Sequence, residues 1–158
     1  MHRILGIDPG SRKTGFGIIE IIKNKPHYIA SGVIKLDSDD LAERLARIFT
    51  DFQTIIKQYQ PTVVAVEEVF MSKNANSALK LGQARGAAIA AVAIHQLPVA
   101  QYAARSIKQA IVGYGQAEKD QVQMMVMQLL NLIKKPQIDA SDALAAALCH
   151  FHTQGCIK

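Results

Sequence analysis

At 158 residues the chain is long enough for one domain, spanning residues 1–158, that buries roughly two thirds of its unfolded surface. Its balance of 49% apolar and 20% charged residues, with a formal charge of +5, excludes a disordered or strongly acidic protein. Cys149 and Cys156 make neither a C-x-x-C pair nor a disulfide framework, the start lacks a signal-peptide core, and the longest apolar run, residues 86–94, is too short to span a bilayer. These features predict a cytoplasmic protein with no membrane role.

The first apolar stretch predicts a strand through Ile4, Leu5 and Ile7, buried on both faces, with Asp8 where it leaves the core. Pro9-Gly10 ends it, and the chain returns along residues 15–19, where Gly15 and Gly17 bare one side of the backbone. That bareness suits close approach by a phosphate or a metal-bound phosphodiester. By itself, Asp8 is equally well explained as a residue capping its own turn. Residues 28–36 read as a third strand, completing an antiparallel meander.

Ser38-Asp39-Asp40 opens a helix in which Leu41, Leu45, Ile48, Phe49, Phe52, Ile55, Ile56 and Tyr59 recur at helical spacing. Pro61 resets the chain. Val63 to Val66 form a second fully apolar strand, ending in Glu67-Glu68, and residues 70–77 read as a loop. An alanine- and glycine-rich helix over 78–94 can approach a neighbour closely, either the sheet or a second copy of the chain. A fifth strand at 98–102 precedes helices at 104–112 and 117–133, separated by Gly113-Tyr114-Gly115. The last helix begins near Pro136 and carries Asp139 and Asp142 three residues apart, on one face. Taken alone, Asp139 makes a good N-cap and Asp142 a good first-turn acid. The predicted order is βββαβαβααα.

From residue 69 to 117 there is no acid, while Lys73, Lys80, Arg85, Arg105 and Lys108 all fall inside. Such a one-sided segment suits a polyanion, because each neutralised phosphate releases counterions. The segment follows directly on an acidic strand end. A helix-linked crossover makes the Asp8 and Glu67 strands parallel neighbours, so both carboxylates emerge at one edge of the sheet. Glu68 points to the other face. A terminal helix on that edge would add Asp139 and Asp142. At an effective dielectric of about 20, like charges about 4 Å apart repel by about 4 kcal/mol, so four such groups need cations. Hard oxygen donors without a Cys or His cluster point to Mg²⁺ or Mn²⁺, and an all-acid cluster can hold two ions that clamp a phosphodiester. His150 and His152 lie more than two turns beyond Asp142 and read as surface or packing residues.

Residues 4–12 (ILGIDPGSR), Glu67 with Val69-Phe70-Met71, residues 73–86 (KNANSALKLGQARG), Tyr102-Ala103-Ala104-Arg105, Val112-Gly113, Ala117-Glu118-Lys119 and residues 139–145 (DASDALA) closely resemble the RuvC Holliday-junction resolvases. The resemblance covers nearly the whole chain. It implies a ribonuclease H-like α/β fold, with a five-stranded mixed sheet of three antiparallel N-terminal strands plus two parallel ones, flanked by helices. It further implies a homodimer that cuts four-way DNA junctions symmetrically in recombination and repair, leaving 5′-phosphate and 3′-hydroxyl ends. Mg²⁺ is the implied cofactor, with Mn²⁺ as a substitute and two ions per site, and RuvA and RuvB are the implied partners. On that match Asp8, Glu67, Asp139 and Asp142 are catalytic metal ligands, Lys108 and Lys119 serve phosphates, and Phe70 touches bases at the crossover. Lys73, Lys80 and Arg85 join them as DNA contacts from the acid-free segment.

Two other readings start from the same residues. The hairpin around Asp8 also resembles the phosphate-binding hairpin of actin-like and sugar-kinase ATPases, which bind ATP between two such domains where this chain has one. A non-catalytic junction-binding protein would keep the basic strip but leave four acids unexplained.

Overall fold

A computed structural model describes residues 1–68 and 74–155. The elements follow the predicted order: β1 (Arg3–Asp8), β2 (Lys13–Ile22), β3 (Lys25–Lys35), α1 (Leu41–Tyr59), β4 (Val63–Glu67), α2 (Ala75–Ala93), β5 (Val99–Tyr102), α3 (Ala104–Val112), α4 (Lys119–Leu129) and α5 (Ile138–Gly155). They form one sheet in the order β3-β2-β1-β4-β5, in which β1, β2 and β3 pair antiparallel while β4 runs parallel to β1 and β5. The expected mixed five-stranded sheet is present.

Successive strand residues point to opposite faces, and this alternation sorts the core into two layers. Ile4, Ile19, Val63 and Ala65 pack under α3, α4 and α5. Leu5, Ile7, Ile18, Val64 and Val66 pack under α1 and α2. The sheet is thus covered on both sides, which is why β1 and β4 read as continuous apolar runs.

Element ends differ from expectation where local backbone chemistry decides them. The β2–β3 hairpin is longer at its turn, because Lys23 and Asn24 adopt φ of 50° and 60°, the left-handed pair that a two-residue turn requires. Helix α2 begins at Ala75, three residues before the predicted start, because Asn74 Oδ1 accepts from the N–H groups of Asn76 and Ser77 at 3.0 and 3.3 Å. Helix α4 stops at Leu129 instead of running to 133, ended by Asn131 at φ 52°. Asp139 lies within the first turn of α5, one residue inside its start, and is therefore not its N-cap.

Helix α5 is the centre of one layer, with Ala140, Ala143, Ala145, Ala146 and Ala147 buried along it. Its seat explains the glycines of the first hairpin. A Cβ at Gly6 would overlap the Ala143 carbonyl, one at Gly15 the Asp139 carbonyl, and one at Gly17 the Leu144 side chain. The bare backbone at Gly15 and Gly17, expected to admit a phosphate, is covered by this helix. Small residues on both sides let helix and sheet approach so closely that the start of α5 lies beside the end of β1.

Candidate metal centre

The alternation that sorts the core also decides which acids converge. Asp8 shares its strand face with Ile4 and Gly6, and Glu67 shares its face with Val63 and Ala65, so both side chains emerge on the α5 side of the sheet. The β1–β4 register runs to Ile7 opposite Val66, which brings Asp8 and Glu67 side by side one residue further on. Helix α5 supplies the other two acids. Carboxylate oxygens of Asp8, Asp139 and Asp142 lie within 4.8 Å of one another. Glu67 stands outside that triad, next to Asp8 at the end of the β1–β4 register. Glu68 is exposed and reaches the rim of the same cavity.

The electrostatics match an arrangement made for cations. Burial pushes the Asp8 carboxyl up to about 8, with further contributions from the charges of Asp142, Glu67 and Asp139 and from the hydrogen bond to Glu67. Asp142 is raised to about 6, again chiefly by burial, with Lys119 opposing the rise. Burial raises Glu67 as well, against the hydrogen bond from Asp8 and the positive charges of Lys119 and Lys108. Burial and the neighbouring carboxylates thus favour the protonated form of Asp8 when no cation is bound. An all-oxygen donor set of this kind fits a hard divalent cation such as Mg²⁺ or Mn²⁺.

Two lysines flank the acids. Lys119 Nζ lies 3.7 Å from Asp142 Oδ2. It is the first residue of α4, whose start is fixed by Gln121: its Oε1 accepts from the Glu118 N–H at 2.8 Å and from the Tyr114 hydroxyl at 2.7 Å. Lys108 reaches the site from α3. Together with Asp8, Glu67 and Asp142, the two lysines line an open cavity of about 320 Å³ whose apolar wall includes Leu81, Ile107 and Val122.

The other residues expected at a DNA surface are placed differently. Lys80 is exposed on α2. Arg85 is half-buried; its Nε donates to the Glu67 backbone carbonyl at 3.3 Å and its Nη2 donates to Gln101 Oε1. Phe70 and Lys73 lie outside the described residues. His152 packs against α3, with Nδ1 3.3 Å from the Ala110 carbonyl oxygen. His150 is 2% exposed and shares a 2.7 Å hydrogen bond between Nδ1 and the Tyr102 hydroxyl. It belongs to the core, as its apolar neighbours Leu148 and Cys149 signal in the sequence.

The family model described as crossover junction endodeoxyribonuclease RuvC matches residues 4–150. The chain is 60% identical over 155 residues to the RuvC endonuclease of Acinetobacter baylyi, covering 98% of this chain and 86% of that protein. It is 58% identical to that of Shewanella amazonensis over 153 residues, 97% and 88% of the two chains. Its structure is similar to that of Thermus thermophilus RuvC in complex with Holliday junction substrate, with a TM-score of 0.90 at 33% identity, covering 98% and 95% of the two chains. A yeast mitochondrial Holliday junction resolvase shares the fold, with a TM-score of 0.70 at 13% identity. The architecture is ribonuclease H-like.

Proposed function

The chain belongs to the RuvC family of crossover junction endodeoxyribonucleases, and we infer that it is a Holliday junction resolvase whose cutting centre is the acidic edge built by β1, β4 and α5. The observation that carries the reading is the convergence of Asp8, Asp139 and Asp142 within 4.8 Å, beside Glu67 and under two lysines. In this reading Asp8, Glu67, Asp139 and Asp142 are the ligands of Mg²⁺, two ions per site, with Mn²⁺ as a substitute. Bound among these oxygens, the metal supplies Lewis-acid activation of the attacking water and of the departing oxygen.

The protein's own groups do the rest. Asp8 and Glu67 would hold the metal as carboxylates, so a bound cation would favour the ionised form of Asp8 over the protonated form that burial favours. Lys108 and Lys119 hold phosphate oxygens over the acids and offset the charge that grows as water attacks phosphorus and the bond to the 3′ oxygen breaks. The products are a 5′-phosphate and a 3′-hydroxyl. Phe70, three residues beyond Glu67, stacks on a base at the crossover, and Lys73 and Lys80 meet neighbouring phosphates.

The working unit is a two-fold dimer. Helix α2 buries Ala84, Ala88, Ala91 and Val92 against the sheet and α1, leaving Leu79 at 67% exposure and Ile94 at 62% on an outer stripe shared with Gly82, Gly86 and Ala90. Open space lies over Gly82 and Gly86, which suits close packing by the same helix of a second copy. Two-fold symmetry presents two centres to two strands of like polarity, as paired cuts require. Family membership supports RuvA and RuvB as partners. The buried, unpaired Cys149 agrees with a reducing cytoplasm, and among the described residues no helix is long and apolar enough to cross a membrane.

The test is incubation with a synthetic four-way junction and Mg²⁺, with duplex DNA and ATP hydrolysis in parallel. Paired symmetric nicks are expected, with no ATP turnover. Asp8→Asn and Glu67→Gln should abolish cutting while leaving junction binding intact or tighter, because a negative charge facing phosphate is removed. Near wild-type cutting by either variant would show that the centre lies elsewhere.

A further inference from the structure

The acid-free segment marks Arg85 as a contact for phosphate, yet its guanidinium is engaged by the Glu67 carbonyl and the Gln101 side chain. We propose that Arg85 is a positioning residue that holds the backbone of Glu67, and that it makes no contact with DNA. The proposal rests on the assignment of Glu67 to the metal centre.

Three observations carry it. Pairing between β1 and β4 ends at Ile7 opposite Val66, and the chain then meets Pro9, which has no N–H with which to extend the ladder. On the other side, β4 and β5 remain tied one residue further, the Glu68 N–H donating to the Tyr102 carbonyl at 2.8 Å. The Glu67 carbonyl therefore sits where the sheet gives out on the β1 side, and Arg85 Nε donates to it at 3.3 Å. The same guanidinium donates through Nη2 to the side chain of Gln101, which stands opposite Val66 in the β4–β5 register. Arg85 thus bolts the last turn of β4 to β5 from the face opposite the acids. A planar fork with donors in two directions can do this, whereas the single ammonium of lysine cannot. A small shift of the Glu67 backbone carries its carboxylate out of register with Asp8, which is where outer-shell partners act on metal sites.

The test compares the full-length wild type with Arg85→Ala, Arg85→Lys and Glu67→Gln, by Mn²⁺ titration of the DNA-free protein and by the salt dependence of metal-free junction binding. Arg85→Ala is expected to weaken Mn²⁺ binding by about 10- to 100-fold, the range typical of lost outer-shell partners, and to leave the salt slope unchanged. Arg85→Lys should also lose Mn²⁺ affinity although it keeps the charge, and it carries the test if the alanine variant folds poorly. A salt slope reduced by about one in Arg85→Ala, as loss of a phosphate contact gives, would overturn the proposal. So would wild-type Mn²⁺ affinity in Arg85→Lys. If Glu67→Gln itself leaves Mn²⁺ binding unaltered, the assignment of Glu67 fails; if Glu67→Gln weakens it and both Arg85 variants do not, only the role of Arg85 fails.

Discussion

Gly6 in β1 lies so close under Ala143 of α5 that a Cβ on Gly6 would fall inside the Ala143 carbonyl group. Backbone cannot yield as a flexible side chain can, so Gly6→Ala must push the helix off the sheet. The expected cost is about 3 kcal/mol, the upper end of the overpacking range, read by urea denaturation. Gly82→Ala, with open space above it, should be neutral or stabilise the isolated chain by about 1 kcal/mol. Equal stability of the two variants would mean that α5 is not held against bare backbone.

The raised Asp8 carboxyl makes the metal-free protein sensitive to alkali. Between its ordinary value of 3.8 and its folded value of about 8, the folded state binds a proton that the unfolded chain has lost. Stability therefore falls as pH rises through that window, by up to about 1.4 kcal/mol per pH unit for this one proton. Thermal melts in a chelator should show the decline, and Asp8→Asn should flatten it. Added Mg²⁺ should reverse it at pH 8. A melting temperature in chelator that rises steadily from pH 5 to pH 8 would contradict this account.

These two relationships differ in how far they could be read from residues alone. Asp8 and Glu67 were legible because each ends an apolar strand, and alternation along β1 and β4 dictates the face they share. Asp139 and Asp142 were not legible from position, since acids in the first turn of a helix are ordinary; what makes them part of a centre is a helix seated on distant glycines. Gly15 and Gly17 announced a close approach without saying by what, and a helix came where a phosphate was expected. Arg85 shows the opposite difficulty. A basic residue looks the same in a sequence whether it faces solvent or an orphaned carbonyl, and only the end of the β1–β4 ladder at Pro9 reveals the carbonyl.

Lys119 pairs with Asp142 at 3.7 Å, but its side chain is 67% exposed, so the pair adds little to stability. Lys119→Ala should change the unfolding free energy by under about 1 kcal/mol and slow cleavage by about 100-fold, as expected where a cation meets charge that grows during reaction. Junction binding should fall far less. Equal losses in binding and rate would assign Lys119 to docking alone.

The outer stripe of α2 predicts the oligomer. A bulky charge at its centre, Gly86→Arg or Ala90→Glu, should yield a folded monomer in sedimentation that makes single, unpaired nicks. An undisturbed dimer would put the interface on another face.

Phe70 is expected to act on DNA and not on the fold. Stacking on an unpaired base is worth about 1–3 kcal/mol, similar to the cost of unstacking one at a strained crossover. Phe70→Ala should melt like the wild type but cut an intact junction poorly. A junction with unpaired bases at its centre should restore much of the rate. No recovery on that substrate would end the wedge idea.

Helix α5 follows all five strands in the chain, yet it supplies two of the four acids and the middle of one core layer. During translation, every strand leaves the ribosome before the helix that completes the centre. A nascent chain halted before Asp139 has Asp8 and Glu67 without the two acids of α5, and one face of its sheet lacks the helix that covers it.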